Sequence, residues 1–453
     1  MSQPVHRAIL VTMNGIPQND AAAEALLTFI QKSPSQFHAV ASLKDELEAA
    51  GFIPLSERQR WKLVPGGKYC VIRNGSSIIS FVLPPKQDYD GFLIAASHSD
   101  SPTFKIKELP EIAPENGCIR LNIEKYGGML CAPWFDRPLS VAGRVVCRSA
   151  PTADSIITER LVAVNRDLLM IPNLAIHFNR TANSNASYTV QNDMLPVFSC
   201  CTETQSTHNF MQIVADAAGV APEAILSHDL FLYNRMPGTF WGAQNEYIAS
   251  ARLGDLECAF TTLRGFLSAQ NDSHVLVHAV FDNEEVGSGT KQGADSTFLA
   301  DTLERISLAC GKNREAFFTA LAKSFMVSAD NAHAVHPNYS AVSDPTHRPL
   351  INGGPVIKFN ASQKYTTDGM SAAVFKLACE TAGVPYQLFT NRADIAGGST
   401  LGNISSAHVS IPTVDVGIAQ WAMHSPYESA GAHDPALMIR AMTAFYCTDT
   451  ITR

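Results

Sequence analysis

The sequence lacks the closely and regularly spaced cysteines from which many zinc-binding and redox modules are built. Ten cysteines occur in 453 residues, but no two of them form a Cys-x-x-Cys pair. Without that spacing we expect buried, reduced thiols rather than a disulfide framework or a cysteine-based zinc site. Any metal ion must therefore be held mainly by histidine and carboxylate side chains.

The sequence also lacks long apolar runs and an excess of positive charge. No stretch approaches the ~18 continuous apolar residues that a membrane-spanning helix requires. The formal net charge is −8, which gives no electrostatic reason to bind nucleic acid. The first 20 residues contain only a short apolar run and no convincing cleavage site. We therefore expect a cytoplasmic protein with no membrane or nucleic-acid partner.

The length of the chain and the order of its helix-like and strand-like segments predict two domains that differ in secondary structure. At 453 residues a single small core is not expected. Helical and strand-like segments alternate at both ends of the chain, whereas short strands and turns dominate its middle part. The predicted fold class is α/β, with a mixed, mostly parallel sheet and helices on both faces. Residues 1–102 and 244–453 would form this split domain, and residues 103–243 a β-rich insert.

Two motifs with candidate site residues come directly after apolar strands. In the first, His98 and Asp100 lie two residues apart, so in an extended segment they face the same side. A carboxylate beside an imidazole suits a metal ligand and its orienting partner. In the second, Glu284 and Glu285 follow a buried strand, where adjacent acids are costly unless one binds a metal or a proton. Taken singly, the first motif is compatible with an ordinary loop histidine and the second with a solvated turn.

Two further segments repeat this arrangement. Asp330 ends another strand-like run and is followed by His333 and His336, and His424 follows a fourth run and a short turn. A lone histidine is more often structural than a ligand. Together, however, four strand ends carry His, Glu, Asp and His, a ligand set that suits zinc, manganese or cobalt. Two such ions about 3.5–4 Å apart can ionise a bridging water and polarise a carbonyl group.

The chain resembles the aspartyl aminopeptidases, a family of dinuclear-zinc metallopeptidases, over nearly its full length. Several long strings in the right order carry the resemblance, and FDNEEVGS and VSADNAHAVHPNY are the most specific of them. The matching strings are APWFDRPLSVAGRV (132–145), IPNLAIHFNR (171–180), FDNEEVGS (281–288), VSADNAHAVHPNY (327–339), NGGPVIKFN (352–360) and AMHS (422–425).

The resemblance implies specific roles for the residues at these strand ends. The implied zinc ligands are His98, Glu285, Asp330 and His424. Glu284 would be the general base that takes a proton from the metal-bridging water, and Asp100 would orient His98. The expected cofactor is two zinc ions per subunit, for which manganese or cobalt could substitute. The implied activity is hydrolysis of amino-terminal residues from peptides.

The resemblance also bears on substrate choice and assembly. Lys358 and Tyr365 fall where family members contact substrate, and Lys358 could pair with an acidic side chain. This implies a preference for amino-terminal Asp or Glu, although the specificity could be broader. His177 matches a histidine that such enzymes offer to a neighbouring subunit's active site. The insert would then be a dimerisation domain, and the implied assembly is a homo-oligomer built from dimers, a tetrahedral dodecamer.

One departure from the family pattern affects the metal site. The family's bridging aspartate lies in an Arg-Leu-Asp-Asn-Leu string, but here the string is Arg-Leu-Gly-Asp-Leu at residues 252–256. Aligned without a gap, the bridging position is Gly254, and the nearest acid, Asp255, is displaced by ~100° around a helix. A glycine at a helix start could allow the backbone to swing Asp255 inward. A site bridged only by water, a single-metal site and a catalytically weak protein remain open.

Two other functions are compatible with the sequence. A metal-dependent deacylase or amidase of small N-acyl compounds would use the same fold on a different substrate. A non-catalytic oligomeric scaffold would follow if the loss of an acid at Gly254 had abolished the chemistry. An aminopeptidase needs a substrate with a free amine, which separates it from the deacylase, and the metal content would separate it from the scaffold.

Overall fold

The computed structural model describes residues 21–86, 88–150, 155–200, 210–398 and 400–449. The first 20 residues, on which the expectation about export rests, lie outside these ranges. Within the ranges, no helix is both long and apolar enough to cross a bilayer. The helices are α1 (Ala21–Lys32), α2 (Gln36–Ala49), α3 (Val190–Asp193), α4 (Phe210–Ala218), α5 (Leu253–Ser268), α6 (Phe298–Ala309), α7 (Arg314–Ala322), α8 (Gly369–Ala382), α9 (Leu401–Ser405) and α10 (Asp434–Tyr446).

The strands fall into two groups along the chain. Those of the first half are β1 (Ile53–Leu55), β2 (Lys68–Arg73), β3 (Ser77–Val82), β4 (Phe92–His98), β5 (Thr103–Glu115), β6 (Cys118–Tyr126), β7 (Leu139–Arg148), β8 (Ile157–Ala163), β9 (Val197–Cys200) and β10 (Ile225–Asn234). Those of the second half are β11 (Thr239–Trp241), β12 (Tyr247–Ser250), β13 (Val275–Phe281), β14 (Phe325–Ala329), β15 (Ala332–His333), β16 (Val356–Lys358), β17 (Gln387–Phe389), β18 (Thr413–Gly417), β19 (Ala419–Trp421) and β20 (Glu428–Gly431).

The largest sheet has nine strands in the order β1-β2-β3-β13-β4-β14-β18-β16-β17. Its central strands β13, β4, β14 and β18 run parallel to one another, whereas β3 and β16 run antiparallel to their central neighbours. The predicted α/β class with a mixed, mostly parallel sheet is therefore confirmed.

Helices cover both faces of this sheet, because successive residues of a strand point to opposite sides. On β4, Leu93 and Ala95 pack with apolar residues of α1, α2, α5, α8 and α10. Ile94 and Ala96 pack with residues of α6, α7 and α9 on the other side. Every residue of β4 and β13 is buried, which explains why these strands are continuous apolar runs rather than alternating ones.

Helix α8 shows how local sequence signals fix where a helix begins and ends. At the start of α8 the Asp368 side chain accepts a hydrogen bond from the backbone N–H of Ser371, and the Ser371 hydroxyl oxygen accepts one from the backbone N–H of Asp368. This reciprocal cap satisfies donors that have no partner inside a helix. The helix ends at Gly383, whose φ of +60° is the left-handed conformation that favours glycine.

A second sheet of six antiparallel strands lies in the middle part of the chain, in the order β8-β7-β10-β5-β6-β9. It has its own apolar core, in which the rings of Phe104 and Trp134 meet edge to face at 5.1 Å. These strands come from residues 103–234. The division of the chain into domains at 102/103 and 243/244 stays a prediction.

A third, five-stranded sheet has the order β11-β12-β20-β19-β15. Its strands β19 and β20 are antiparallel neighbours, and the connection between them contains His424. Strand β12 pairs with β20 and leads directly toward the start of α5. This small sheet therefore joins two of the segments in which the sequence predicts site residues.

Candidate metal centre

Neighbouring strands bring three of the predicted site segments to one edge of the nine-stranded sheet. Strand β4 ends at His98, and it runs parallel to both β13 and β14. Glu284 and Glu285 lie in a short 3-10 turn just after β13, and Asp330 directly follows β14. The carboxyl ends of parallel strands are where open α/β sheets bind ligands.

The candidate ligand atoms lie close enough to share bound cations. Ligand atoms of His98, Asp255 and Glu285 all lie within 4.8 Å of one another. The Nε2 atom of His98 is 3.6 Å from Oδ1 of Asp330, and Nε2 of His424 is 3.4 Å from Oε1 of Glu285. The fold thus brings together five predicted ligands from five separate segments.

Both histidines present the same nitrogen to the carboxylates. His98 Nδ1 is 3.0 Å from the backbone oxygen of Asp100, and His424 Nδ1 is hydrogen-bonded to the backbone oxygen of Gly128. A carbonyl oxygen can only accept, so each Nδ1 must carry the proton and donate it. The lone pair is then on Nε2, which faces the cluster. This is how a second hydrogen bond selects the metal-binding tautomer of a histidine.

Asp100 organises the backbone of the two adjacent acids. Its Oδ1 accepts the N–H of Glu284 at 3.0 Å, and its Oδ2 accepts the N–H of Glu285 at 3.1 Å. The hydroxyl of Tyr126 also donates to Oδ2, at 2.8 Å. The Asp100 carboxylate is 3.4 Å from His98 Nδ1, whereas its backbone oxygen is closer. Asp100 is therefore tied to the turn that carries the two glutamates as well as to His98.

The start of α5 turns Asp255 toward the cluster, although not in the way that the sequence suggests. Gly254 is an ordinary helical residue, so the expectation that its backbone freedom swings Asp255 inward is wrong. The unusual backbone is at Arg252, whose φ of +59° is left-handed. The chain turns there, before the helix begins, and this places the buried Asp255 in the first helical turn beside His98 and Glu285.

Burial and neighbouring charges shift the pKa values of Asp255, Glu284, Glu285 and Asp330. Burial raises the pKa of Glu284 to about 7, and Asp330 adds to the rise while His98 opposes it. Burial and the Asp255 charge raise the pKa of Glu285 well above its usual value, and burial likewise raises the pKa of Asp255. Burial also opposes ionisation of Asp330, but Lys358 and His98 outweigh it and lower this pKa to about 2. A divalent cation would stabilise the ionised forms of all these groups.

A cavity of about 190 Å³ opens over these residues. Lys358 and Tyr365, the predicted substrate contacts, both line it, and Phe389 adds an aromatic wall. The ammonium of Lys358 donates to the backbone oxygen of Asp330 at 2.8 Å and lies 3.7 Å from its Oδ2. Lys358 is almost fully buried, and its ammonium already forms an ion pair with the carboxylate of Asp330.

The structure does not bring His177 to this cavity in a single chain. His177 is exposed and is not among the described residues that line the cavity. It lies between Ile176 and Phe178, and Phe178 is 81% exposed, which is unusual for an aromatic side chain.

Several residues that support the site were missed in the sequence. Tyr126 binds Asp100, and Gly127 packs so closely that a Cβ atom there would lie 3.1 Å from the Cβ of Glu285. Glu428 is buried and accepts the backbone N–H groups of Gly254 and His424. Only Glu428 carries a signal that could have been noticed, since it is a lone acid at the start of a strand of small residues.

The residues present fit divalent metal ions of the zinc type. Two imidazole nitrogens and the carboxylates of Asp255, Glu285 and Asp330 form a nitrogen and oxygen donor set that suits such ions. Several buried carboxylates lie close together here, and their negative charges are costly unless they are compensated. A bound cation would compensate them.

Known proteins with a similar sequence cover almost the whole chain. The profile of a family described as aminopeptidase I zinc metalloproteases (M18) matches residues 29–446. A probable M18 family aminopeptidase 2 of Clostridium acetobutylicum is 46% identical over 427 residues, which are 94% of this chain and 98% of the relative. A protein of the same name from Pseudomonas aeruginosa is 40% identical over 433 residues, again 94% and 98% of the two chains.

Solved structures give the same result for the fold. A chain in the cryo-EM structure of the Ape4 and Nbr1 complex superposes with a TM-score of 0.89 at 34% identity, covering 94% of this chain and 85% of that one. The S. cerevisiae mApe1 dodecamer superposes with a TM-score of 0.82 at 26% identity, covering 94% and 96% of the two chains.

Proposed function

Because the chain belongs to the M18 family of zinc metallopeptidases and is a metal-dependent aminopeptidase, we propose that it uses two zinc ions per subunit. The proposed ligands are His98, Asp255, Glu285, Asp330 and His424. The observation that carries the proposal is the proximity of imidazole and carboxylate ligand atoms from separate segments in one buried cluster. In this proposal Asp255 replaces the bridging aspartate that the family pattern has at the position of Gly254.

The protein's own residues then handle the protons of peptide hydrolysis. Bound zinc would lower the pKa of a water molecule and polarise the scissile carbonyl. Glu284 takes a proton from the attacking water and delivers it to the nitrogen of the leaving amine. Burial raises the pKa of Glu284 to about 7 when no cation is bound. Bound zinc would lower this pKa again, which would leave a carboxylate able to accept a proton near neutral pH. Asp100 holds the backbone of Glu284 in place while this happens.

The proposed substrate preference is for acidic amino-terminal residues. Support comes from Lys358, a cation that lines the cavity beside Tyr365. Since its ammonium also contacts Asp330, we expect a moderate preference with residual activity on neutral residues. Steady-state kinetics on aspartyl and leucyl anilides of the wild type and Lys358→Met test this. The aspartyl-to-leucyl ratio of kcat/KM should fall in the variant, and an unchanged ratio would contradict the assignment.

The proposed assembly is a homo-oligomer of dimers, specifically a cytoplasmic dodecamer, with His177 serving a neighbouring subunit. Support comes from the mApe1 dodecamer among the similar structures, and from the exposed Phe178 beside His177. The β-rich part at 103–243 would be the dimerisation domain. Light scattering during size-exclusion chromatography would give the subunit number, and a monomer with full activity would contradict this arrangement.

The central experiment combines Glu284→Ala with metal analysis. We expect kcat to fall by about 10²–10⁴-fold, the usual contribution of a general base, while the zinc content stays that of the wild type. Chelator treatment of the wild type should abolish hydrolysis. Full activity after removal of metal would contradict the proposed mechanism.

Substrate chemistry separates the proposal from a deacylase. Aminoacyl anilides with a free amine should be cleaved, whereas the same anilides with an acetylated amine should not. Efficient hydrolysis of N-acyl amino acids would instead favour the deacylase.

A further inference from the structure

A buried glutamate outside the predicted ligand set connects two of the ligand segments. Glu428 begins β20 and is 1% exposed. Its Oε2 accepts the backbone N–H of Gly254 at 2.8 Å, and its Oε1 accepts the backbone N–H of His424 at 2.7 Å. One carboxylate thus holds the residue before Asp255 and the backbone of His424 at the same time.

Both segments have backbone conformations that need external support. His424 itself has a φ of +67°, and Arg252, two residues before Gly254, has a φ of +59°. Residues other than glycine rarely adopt this left-handed conformation, and it persists only where the surrounding structure fixes it. The two hydrogen bonds of Glu428 fall at these unusual turns, where they would fix the direction of the ligand side chains.

Gly254 leaves room for this carboxylate. A Cβ atom at Gly254 would lie 3.2 Å from Oε1 of Glu428 and 3.0 Å from Nε2 of Gln420. Gln420 Nε2 itself donates to Glu428 Oε1 at 3.3 Å. A side chain at residue 254 would therefore press on the group that holds both segments.

We propose that Glu428 is a positioning residue that sets the directions of Asp255 and His424 as metal ligands, and that the absence of a side chain at Gly254 helps to keep Glu428 in place. The inference rests on the proposed metal centre, since it assigns Asp255 and His424 to that centre. Glu428 acts through these two residues and does not touch the substrate.

The structure contains a matched control for Glu428. Asp434 is also a fully buried carboxylate that accepts two backbone N–H groups, those of Asn352 at 2.7 Å and Gly354 at 2.9 Å. It is not among the described residues that line the metal cavity. An amide at either position keeps the shape but replaces one accepting oxygen with a donor. Both substitutions should lower the melting temperature, but only Glu428→Gln should weaken zinc binding.

Gly254→Ala supplies a second, independent variant. Alanine is a better helix former than glycine, so loss of helix stability could not explain a weaker metal site. Its matched control is Gly369→Ala at the start of α8, where a new Cβ atom would have nothing within 4 Å.

The test is a zinc-affinity measurement on metal-free full-length protein, by competition with a chromophoric chelator. We expect Glu428→Gln and Gly254→Ala to raise the zinc Kd by about 10–100-fold, the range seen when groups that orient metal ligands are removed. They should also alter the visible absorption of the cobalt-loaded protein. Asp434→Asn and Gly369→Ala should keep the wild-type Kd and spectrum.

The outcomes separate the inference from the function on which it rests. A wild type that binds no zinc would contradict the proposed metal centre itself. A wild type that binds zinc, with folded Glu428→Gln or Gly254→Ala binding it equally well, would overturn only the role of Glu428. If Glu428→Gln fails to fold, Gly254→Ala decides the question alone.

Discussion

The nine-stranded and six-stranded sheets contribute to the same cavity in different ways. The nine-stranded sheet carries His98, Glu285 and Asp330 at or just after the ends of its buried strands. From the six-stranded sheet and the turn that follows β6 come the hydroxyl of Tyr126, which donates to Asp100, and the backbone oxygen of Gly128, which accepts from His424. One sheet thus supplies groups that can bind a cation, and the other supplies hydrogen bonds that orient those groups.

The two regions should therefore differ in how strongly a substitution affects zinc binding and activity. Loss of a ligand removes a bond to the cation. Loss of an orienting hydrogen bond keeps the metal–ligand bond but weakens it, because the ligand is held less firmly in the right direction. Groups that orient metal ligands are typically worth 10–100-fold in metal affinity or activity. A ligand should be worth more than that.

The largest effect is expected for His98→Ala. The variant should lose zinc, and kcat/KM should fall by roughly 10³-fold or more because several kcal/mol of charge stabilisation disappear. Metal analysis and steady-state kinetics measure both. His228→Ala is the matched control, since His228 is also buried but lies on β10 of the six-stranded sheet. Equal zinc loss in the two variants would erase the contrast between the sheets.

A second prediction concerns the acid that is displaced by one residue. Asp255→Ala should reduce the zinc content by about one ion per subunit and lower kcat/KM by about 10²-fold or more. The exchange variant, with Gly254→Asp and Asp255→Gly together, should not recover activity. An acid at residue 254 would crowd Gln420 and Glu428, because even its Cβ atom would lie 3.0–3.2 Å from their side chains. Recovery in the exchange variant would show that the register at the start of α5 differs from the one described.

A smaller effect is expected for Tyr126→Phe, which removes only a hydroxyl group. Asp100 would lose one hydrogen bond but keep the two from the backbone of Glu284 and Glu285. We expect zinc affinity or kcat/KM to fall by about 10-fold, at the low end of such effects. Tyr233→Phe is the control, because the Tyr233 hydroxyl donates to the backbone oxygen of Val164 and not to a residue of the cluster. A loss as large as that of His98→Ala would mean that the six-stranded sheet does more than orient.

The smallest effect on activity is expected for Asp434→Asn, which tests stability instead. Burial raises the pKa of Asp434 to about 7, so the Asp434 carboxyl group holds its proton more tightly in the folded protein than in the unfolded chain. The resulting stabilisation is complete below the unfolded pKa of about 4 and is lost as the pH rises through about 7. Asparagine does not titrate. The melting temperature of the wild type, relative to that of the variant, should therefore fall between pH 4 and pH 7.5, and parallel pH profiles would contradict this.

The sequence was informative about residues that sit at strand ends and poor about residues that support them. His98, Glu284, Glu285 and Asp330 follow apolar runs, so strand pattern and ligand chemistry point to the same positions. These local patterns also sufficed for the sheet and the helices on its two faces.

The supporting residues could not be predicted because their partners are remote in the chain. Glu428 is 174 residues from Gly254. Asp100 is predicted as the partner of His98, but its bond to the backbone of Glu284, 184 residues away, is not. The glutamate on β20 is notable as a lone acid among small residues, but nothing local in the sequence shows which groups it or the tyrosine on β6 will contact. The sequence also suggests that the unusual backbone is at Gly254, whereas it is at Arg252, whose side chain donates to the backbone oxygen of Ile30, 222 residues away.

The most direct test of the metal centre is a crystal structure of the zinc-loaded protein with anomalous diffraction data collected at the zinc edge. We expect two anomalous peaks per subunit, surrounded by His98, Asp255, Glu285, Asp330 and His424, with Asp255 oxygens about 2.0–2.2 Å from zinc. A single peak, or peaks that Asp255 does not reach, would contradict the two-ion assignment. No peak among these five residues would contradict the account as a whole.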